Sequence, residues 1–172
     1  YIEKEAEINE EIDRLRLKAF SSLLQRRDVI IISTVSCIYG VGSPSEYDDH
    51  KITLRRGEQI ERDEVLRALI DNYYRRNDIE LQRGCFRVRG DIVEIVPGSE
   101  DRGVRIEMFG DEIESIYIID SLTGEVIEPR EQISIFPAKA YVTDEDKVLG
   151  ACDEILTELE SHLLDMRTED RL

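Results

Sequence analysis

The side chains whose types and spacing ask for a partner are Arg76, Arg87, Arg89, Arg105 and Glu107. A guanidinium is a planar fork that binds carboxylates bidentately, and arginine is enriched where protein surfaces meet. In Phe86-Arg87-Val88-Arg89 the residues alternate apolar and basic, so a strand here turns both arginines to one face. Val104, Ile106 and Met108 alternate in the same way with Arg105 and Glu107. The chemistry this allows is recognition of an acidic surface. Two plainer readings stand beside it. Arg76 can simply suit the negative end of a helix dipole, and Arg87 and Arg89 can pair across the sheet with Glu107, a contact worth about 0.2–1 kcal/mol.

No other grouping suggests catalysis or a metal. Carboxylates are abundant, but none forms an acid/base pair, and Glu112 and Glu114 read as one solvated strand face. Nothing joins a nucleophile to a base and an orienting group. His50 and His162 have no partners at ligand spacing, and Cys37, Cys85 and Cys152 are odd in number, scattered and without a Cys-x-x-Cys pair. Free cysteines fit a reduced, cytoplasmic setting. Gly40-x-Gly42 follows an apolar run but lacks the third glycine or the Gly-Lys-Thr of a phosphate loop, so it reads as a plain loop. Arg89-Gly90-Asp91 reads as a tight turn rather than an adhesion motif.

These residues must be held by a sheet. Strands are expected at about 84–89, 92–96, 104–109 and 112–119, with two-residue turns at Gly90-Asp91 and Gly110-Asp111 and a further hairpin at Leu122-Thr123-Gly124-Glu125. Before them, Lys51–Arg55 alternates as a short strand. Asp63 is the expected N-cap of a helix whose stripe is Leu66, Leu69, Ile70 and Tyr73, with Arg67, Asp71 and Arg75 outward and Arg76 leaving its end. Ile133–Pro137 closes the β-rich part, since proline cannot continue a ladder.

The flanks follow a different pattern. Residues 6–26 repeat apolar positions at helical spacing, Val29–Ile32 is a continuous apolar run that reads as a buried strand of an α/β sheet, and 143–167 is helical, with Thr143 and Asp146 placed as a capping box. The expected class is α+β: an antiparallel-sheet insert with one helix at 50–138, flanked at 1–49 and 139–172 by partial α/β motor segments. The chain has 172 residues and begins at Tyr1 in the middle of an amphipathic pattern, which suggests a piece of something longer.

Charge is uneven. The formal net charge is −16, yet residues 51–90 hold ten basic and seven acidic side chains while every other stretch is acidic. A strongly acidic chain is repelled by bare phosphate backbones. No apolar run reaches the roughly 18 residues that span a bilayer.

At Tyr1-Ile2-Glu3-Lys4, Ile12-Asp13-Arg14-Leu15-Arg16, Arg27-Asp28-Val29-Ile30-Ile31-Ile32, Val35-Ser36-Cys37-Ile38-Tyr39-Gly40, Gly42-Ser43-Pro44, Arg76-Asn77-Asp78, Phe86-Arg87-Val88-Arg89-Gly90-Asp91 and Phe109-Gly110-Asp111-Glu112-Ile113-Glu114 the sequence resembles the UvrB family, the damage-verifying subunits of bacterial nucleotide excision repair. The resemblance implies that 50–138 binds UvrA through Arg76, Arg87 and Arg89, with Arg105 and Glu107 on the next strand, and that the flanks belong to a helicase-like motor. It implies a DNA-side role for Tyr1, at the base of the family's clamping hairpin, and for Arg16. The Walker A loop, the tyrosine-rich hairpin tip, the acidic box and the later helicase motifs are absent from these residues. No catalysis and no cofactor are therefore expected here, while ATP, magnesium, UvrC and damaged DNA are implied for the longer parent. The transcription–repair coupling factor carries a similar UvrA-binding module; Cys37-Ile38-Tyr39-Gly40 and Asp120–Gly124 favour UvrB over it. A DNA-binding fragment of a helicase-like ATPase is the other alternative.

Overall fold

The computed structural model describes residues 10–38, 43–140 and 145–168. It is an α+β structure. Its elements are α1 (Glu10–Gln25), a 3-10 turn (Val35–Ile38), α2 (Pro44–Asp49), β1 (Ile52–Arg55), α3 (Arg62–Asp71), β2 (Arg75–Arg76), β3 (Cys85–Arg89), β4 (Ile92–Val96), β5 (Arg102–Phe109), β6 (Glu112–Asp120), β7 (Val126–Arg130), β8 (Gln132–Ile135) and α4 (Glu145–Thr168). Contacts divide the chain into two units, Tyr1–Val142 and Thr143–Leu172. The second contains α4, along which Leu149, Ile155, Leu156 and Leu159 are exposed. The capping box expected at Thr143 falls outside the described residues.

The first unit is built on a six-stranded sheet in the order β2-β3-β4-β5-β6-β7, antiparallel except for the short β2–β3 pair. Its hairpins follow the turn chemistry. Gly90 and Gly110 take φ of 63° and 62°, which only glycine adopts without steric cost, so each Gly-Asp pair closes a two-residue loop. β8 leaves this sheet and pairs with β1 instead.

Period-two alternation then separates the faces. Phe86, Val93, Ile95, Val104, Ile106, Ile113 and Ile116 pack with Val65 and Leu69 of α3, and with Leu54, Tyr74 and Ile135. A smaller core joins Leu17 and Phe20 of α1 to Tyr47 and Phe136. There Tyr47 stacks on Phe136 at 5.5 Å and donates its hydroxyl to the Pro137 carbonyl at 3.1 Å. α1 is also held by charge: Arg14 and Arg83 both reach Asp101, at 3.6 and 3.4 Å, and Lys18 reaches Glu100 at 3.4 Å.

Four expectations are corrected. Val29–Ile32 is not a buried strand; Ile30 and Ile32 are 91% and 95% exposed. An extended run gains a ladder only beside another strand, and none of the described strands pairs with it. The N-cap of α3 is Glu61, with Asp63 inside the first turn and no side-chain cap. The buried stripe of α3 is Val65 and Leu69, while Ile70 and Tyr73 face solvent. The helix ends at Asp71 and Tyr73 turns out of it at φ 63°, where the Tyr74 amide closes on the Leu69 carbonyl at 3.0 Å. Arg76 therefore does not leave a helix end; it lies in β2.

Candidate docking surface

The tight turn at Gly90-Asp91 sets the register of β3 against β4. Arg89 faces Ile92, and Arg87, two residues further from the turn, faces Glu94. The β4–β5 ladder places Glu94 opposite Arg105, and β5–β6 places Arg105 opposite Tyr117. Residues opposite one another in a ladder project to the same face. Arg87, Glu94, Arg105 and Tyr117 thus form one row across four strands, on the side away from the core.

Glu94 is the centre of that row. Its side chain is 3% exposed, against 14% for Arg87 and 21% for Arg105. Arg87 donates its Nε–H to Glu94 Oε2. Arg105 donates Nε–H and Nη2–H to Oε1 at 2.9 and 2.7 Å, and a second Nη2–H to the Gly124 carbonyl at 2.9 Å. Burial alone pushes the Glu94 carboxyl up, because a buried charge is poorly solvated. The hydrogen bonds from Arg87 and Arg105 and their charges outweigh it, so the net shift is downward and the group stays ionised. Two cations share one anion, and the cluster carries one net positive charge.

The other expected residues are placed differently. Arg89 is exposed on the same face as Arg87 and makes no salt bridge among the described residues. Glu107 shares that face, but it accepts a hydrogen bond from the Ser115 hydroxyl at 3.0 Å. The cross-strand partner of Arg87 is Glu94, and the expected pairing with Glu107 is corrected accordingly. Arg76 pairs with Phe86 in the β2–β3 ladder, so it sits on the opposite face from Arg87. It binds Asp78 at 2.9 Å. Asp78 also accepts the Val88 amide at 3.1 Å, the largest effect on its carboxyl; burial opposes it next, Arg76 and then the nearby charge of Arg89 add to the lowering, and the group stays below the usual range. The expected single arginine face is therefore corrected: Arg87, Arg89 and Arg105 share one side of the sheet, and Arg76, on the edge strand β2, belongs to the other.

Arg16 stands apart, on α1, 3.8 Å from Asp13 and beside Cys37, whose thiol is lowered mainly by Thr34 and to a lesser degree by Arg16. Tyr1 and the Gly40-x-Gly42 turn lie outside the described residues. His50 is engaged with the Glu46 carbonyl at 2.8 Å. Among the described residues no three His, Cys, Asp or Glu side chains gather as a metal site, and no helix is long and apolar enough to cross a membrane.

Sequence reasoning missed Glu94. The signal was available: it is the one charge inside the apolar run Ile92–Val96, and a two-residue turn at Gly90-Asp91 makes it the third partner out, opposite Arg87.

Residues 52–141 match a family model described as the UvrB interaction domain. The whole chain is 54% identical to UvrABC system protein B of Geobacillus kaustophilus, 56% to that of Listeria innocua and 51% to that of Microcystis aeruginosa. In each case it covers 26% of the relative, so the chain spans about a quarter of the length of the curated relatives it matches.

Proposed function

The chain belongs to the UvrB family, and we propose that its sheet domain docks a UvrA-type partner during UvrABC excision repair, so that damaged DNA can be handed over and verified. The observation that carries this reading is the ordered row Arg87–Glu94–Arg105 beside the exposed Arg89. Side chains already fixed by a ladder lose less freedom on binding, and electrostatic complementarity speeds encounter and sets register. The partner surface is acidic where it meets this row.

Catalysis, ATP and magnesium belong in this reading to a longer protein, as do contacts with UvrC and DNA. The DNA-side role of Arg16 and Tyr1 belongs with that longer protein; for this piece alone the net charge of −16 leaves little counterion release. Titration of UvrA with the chain tests the proposal. Binding is expected for the unaltered chain and a loss of tenfold or more, roughly, for Arg87→Ala combined with Arg89→Ala. Equal affinity of both chains removes the surface from consideration.

A further inference from the structure

Glutamate is rarely fully buried unless paired, and Glu94 is buried between Val93 and Ile95 in the middle of a sheet. Its two oxygens are used differently. Oε2 takes the Nε–H of Arg87, and Oε1 takes both donors from Arg105. Arg105 is fixed a second time through the Gly124 carbonyl, at the turn where the Asp120 carboxylate accepts the Leu122 and Thr123 amides at 2.9 and 2.8 Å. Both guanidinium planes are therefore set by the body of the protein. The Nη groups of Arg87 and Nη1 of Arg105 have no hydrogen-bond partner among the described residues. The cluster is one negative charge short of neutrality.

We propose that Glu94 is a positioning residue, holding Arg87 and Arg105 by their inner edges so that their remaining donors form a seat for one carboxylate side chain of the partner. The inference rests on the docking reading above and deepens it: the partner's contribution at this point is a single Asp or Glu, bound to a preformed fork. A planar fork that is already oriented binds a carboxylate bidentately, whereas a free arginine supplies only charge.

Positioning and charge alone predict opposite signs for one substitution. Glu94→Gln keeps the size and removes the negative charge, so the row becomes more positive. If attraction between opposite charges were all that mattered, the variant would bind an acidic partner more tightly. If Glu94 orients the fork, the variant binds UvrA about tenfold more weakly or worse despite its added positive charge. The measurement is the dissociation constant for UvrA at fixed salt, below the melting temperature of the variant, with circular dichroism to establish that it is folded. Unchanged or tighter binding overturns the proposal.

Should Glu94→Gln not fold, the unaltered chain carries the test. The Nε–H resonances of Arg87 and Arg105 are expected to exchange with water more slowly than that of Arg89, and to shift or broaden when UvrA is added. Exchange as fast as that of Arg89, or indifference to UvrA, overturns the assignment. Arg89→Ala separates the two levels of the argument. If it weakens binding and Glu94→Gln does not, only the role of Glu94 is lost. If neither variant changes the affinity, the docking surface itself is lost.

Discussion

Arg87 and Arg89 lie two residues apart on one strand face, and alanine at either position is expected to weaken partner binding. The structure predicts that they differ sharply in stability. Arg87 makes a charge-assisted bond to a carboxylate that is 3% exposed. Hydrogen bonds to charged groups contribute about 1.5–3 kcal/mol net. For a chain of this size each kcal/mol moves the melting temperature by about 2–4 °C, so Arg87→Ala is expected to lower it by about 3–12 °C. The lower half of that range is favoured, because Glu94 keeps both bonds from Arg105. Arg89 is exposed with no salt bridge among the described residues, and its replacement stays within about 0.5 kcal/mol. Removing Arg87 and Arg105 together strips Glu94 of both partners. An uncompensated buried charge costs about 3–5 kcal/mol, so the double variant is expected to lose more than the sum of the single ones. Thermal unfolding followed by circular dichroism compares the unaltered chain with Arg87→Ala, Arg89→Ala, Arg105→Ala and the Arg87/Arg105 double variant. Equal melting temperatures for Arg87→Ala and Arg89→Ala, or strict additivity in the double, refute the shared-carboxylate geometry.

Further outcomes follow from the same contacts. Glu94 has its folded pKa held below the unfolded value, so its contribution to stability is fully present above the ordinary glutamate pKa of about 4.3 and disappears as pH falls through the lower folded value; the acid limb of a melting-temperature profile should be shallower in Glu94→Gln. Gly98→Ala would place a Cβ 2.9 Å from Leu17 Cδ1 and 3.0 Å from the Ala138 carbonyl. An expected loss of about 1–3 kcal/mol, measured by urea titration, reflects that overpacking at the α1 junction. Ile32→Ser, at a 95% exposed position, should leave the unfolding free energy from the same urea titration unchanged to within about 0.5 kcal/mol; a large loss would restore the buried strand that the structure denies.

Much of the sheet was legible because its signals are local. Gly90-Asp91 and Gly110-Asp111 need only their neighbours to form a turn, and alternation in Phe86–Arg89 and Val104–Met108 sorts faces without reference to the rest of the chain. The errors arose where an element depends on something distant. Val29–Ile32 has the composition of a buried strand, but composition supplies no partner ladder. Tyr73 fits a helical stripe until the helix stops at Asp71 and the chain turns through a positive φ, while Ile70, inside the helix, is exposed because the core takes the Val65 and Leu69 side of α3. Arg76 changes face because β2 pairs with β3 in parallel, a register that no turn dictates.

The candidate surface divides along the same line. From the sequence by itself come the strand, the common face of Arg87 and Arg89, and, through the two-residue turn, the place of Glu94 opposite Arg87. Each depends on dihedral preferences within a few residues. Only the tertiary structure brings Arg105 to the second oxygen of Glu94 and ties it to Gly124, because a loop of five residues between β4 and β5 leaves the register open until the core face of Val93, Ile95, Val104 and Ile106 is packed. Burial of that apolar face against α3 admits one register, and that register turns separated charges into a fixed cluster.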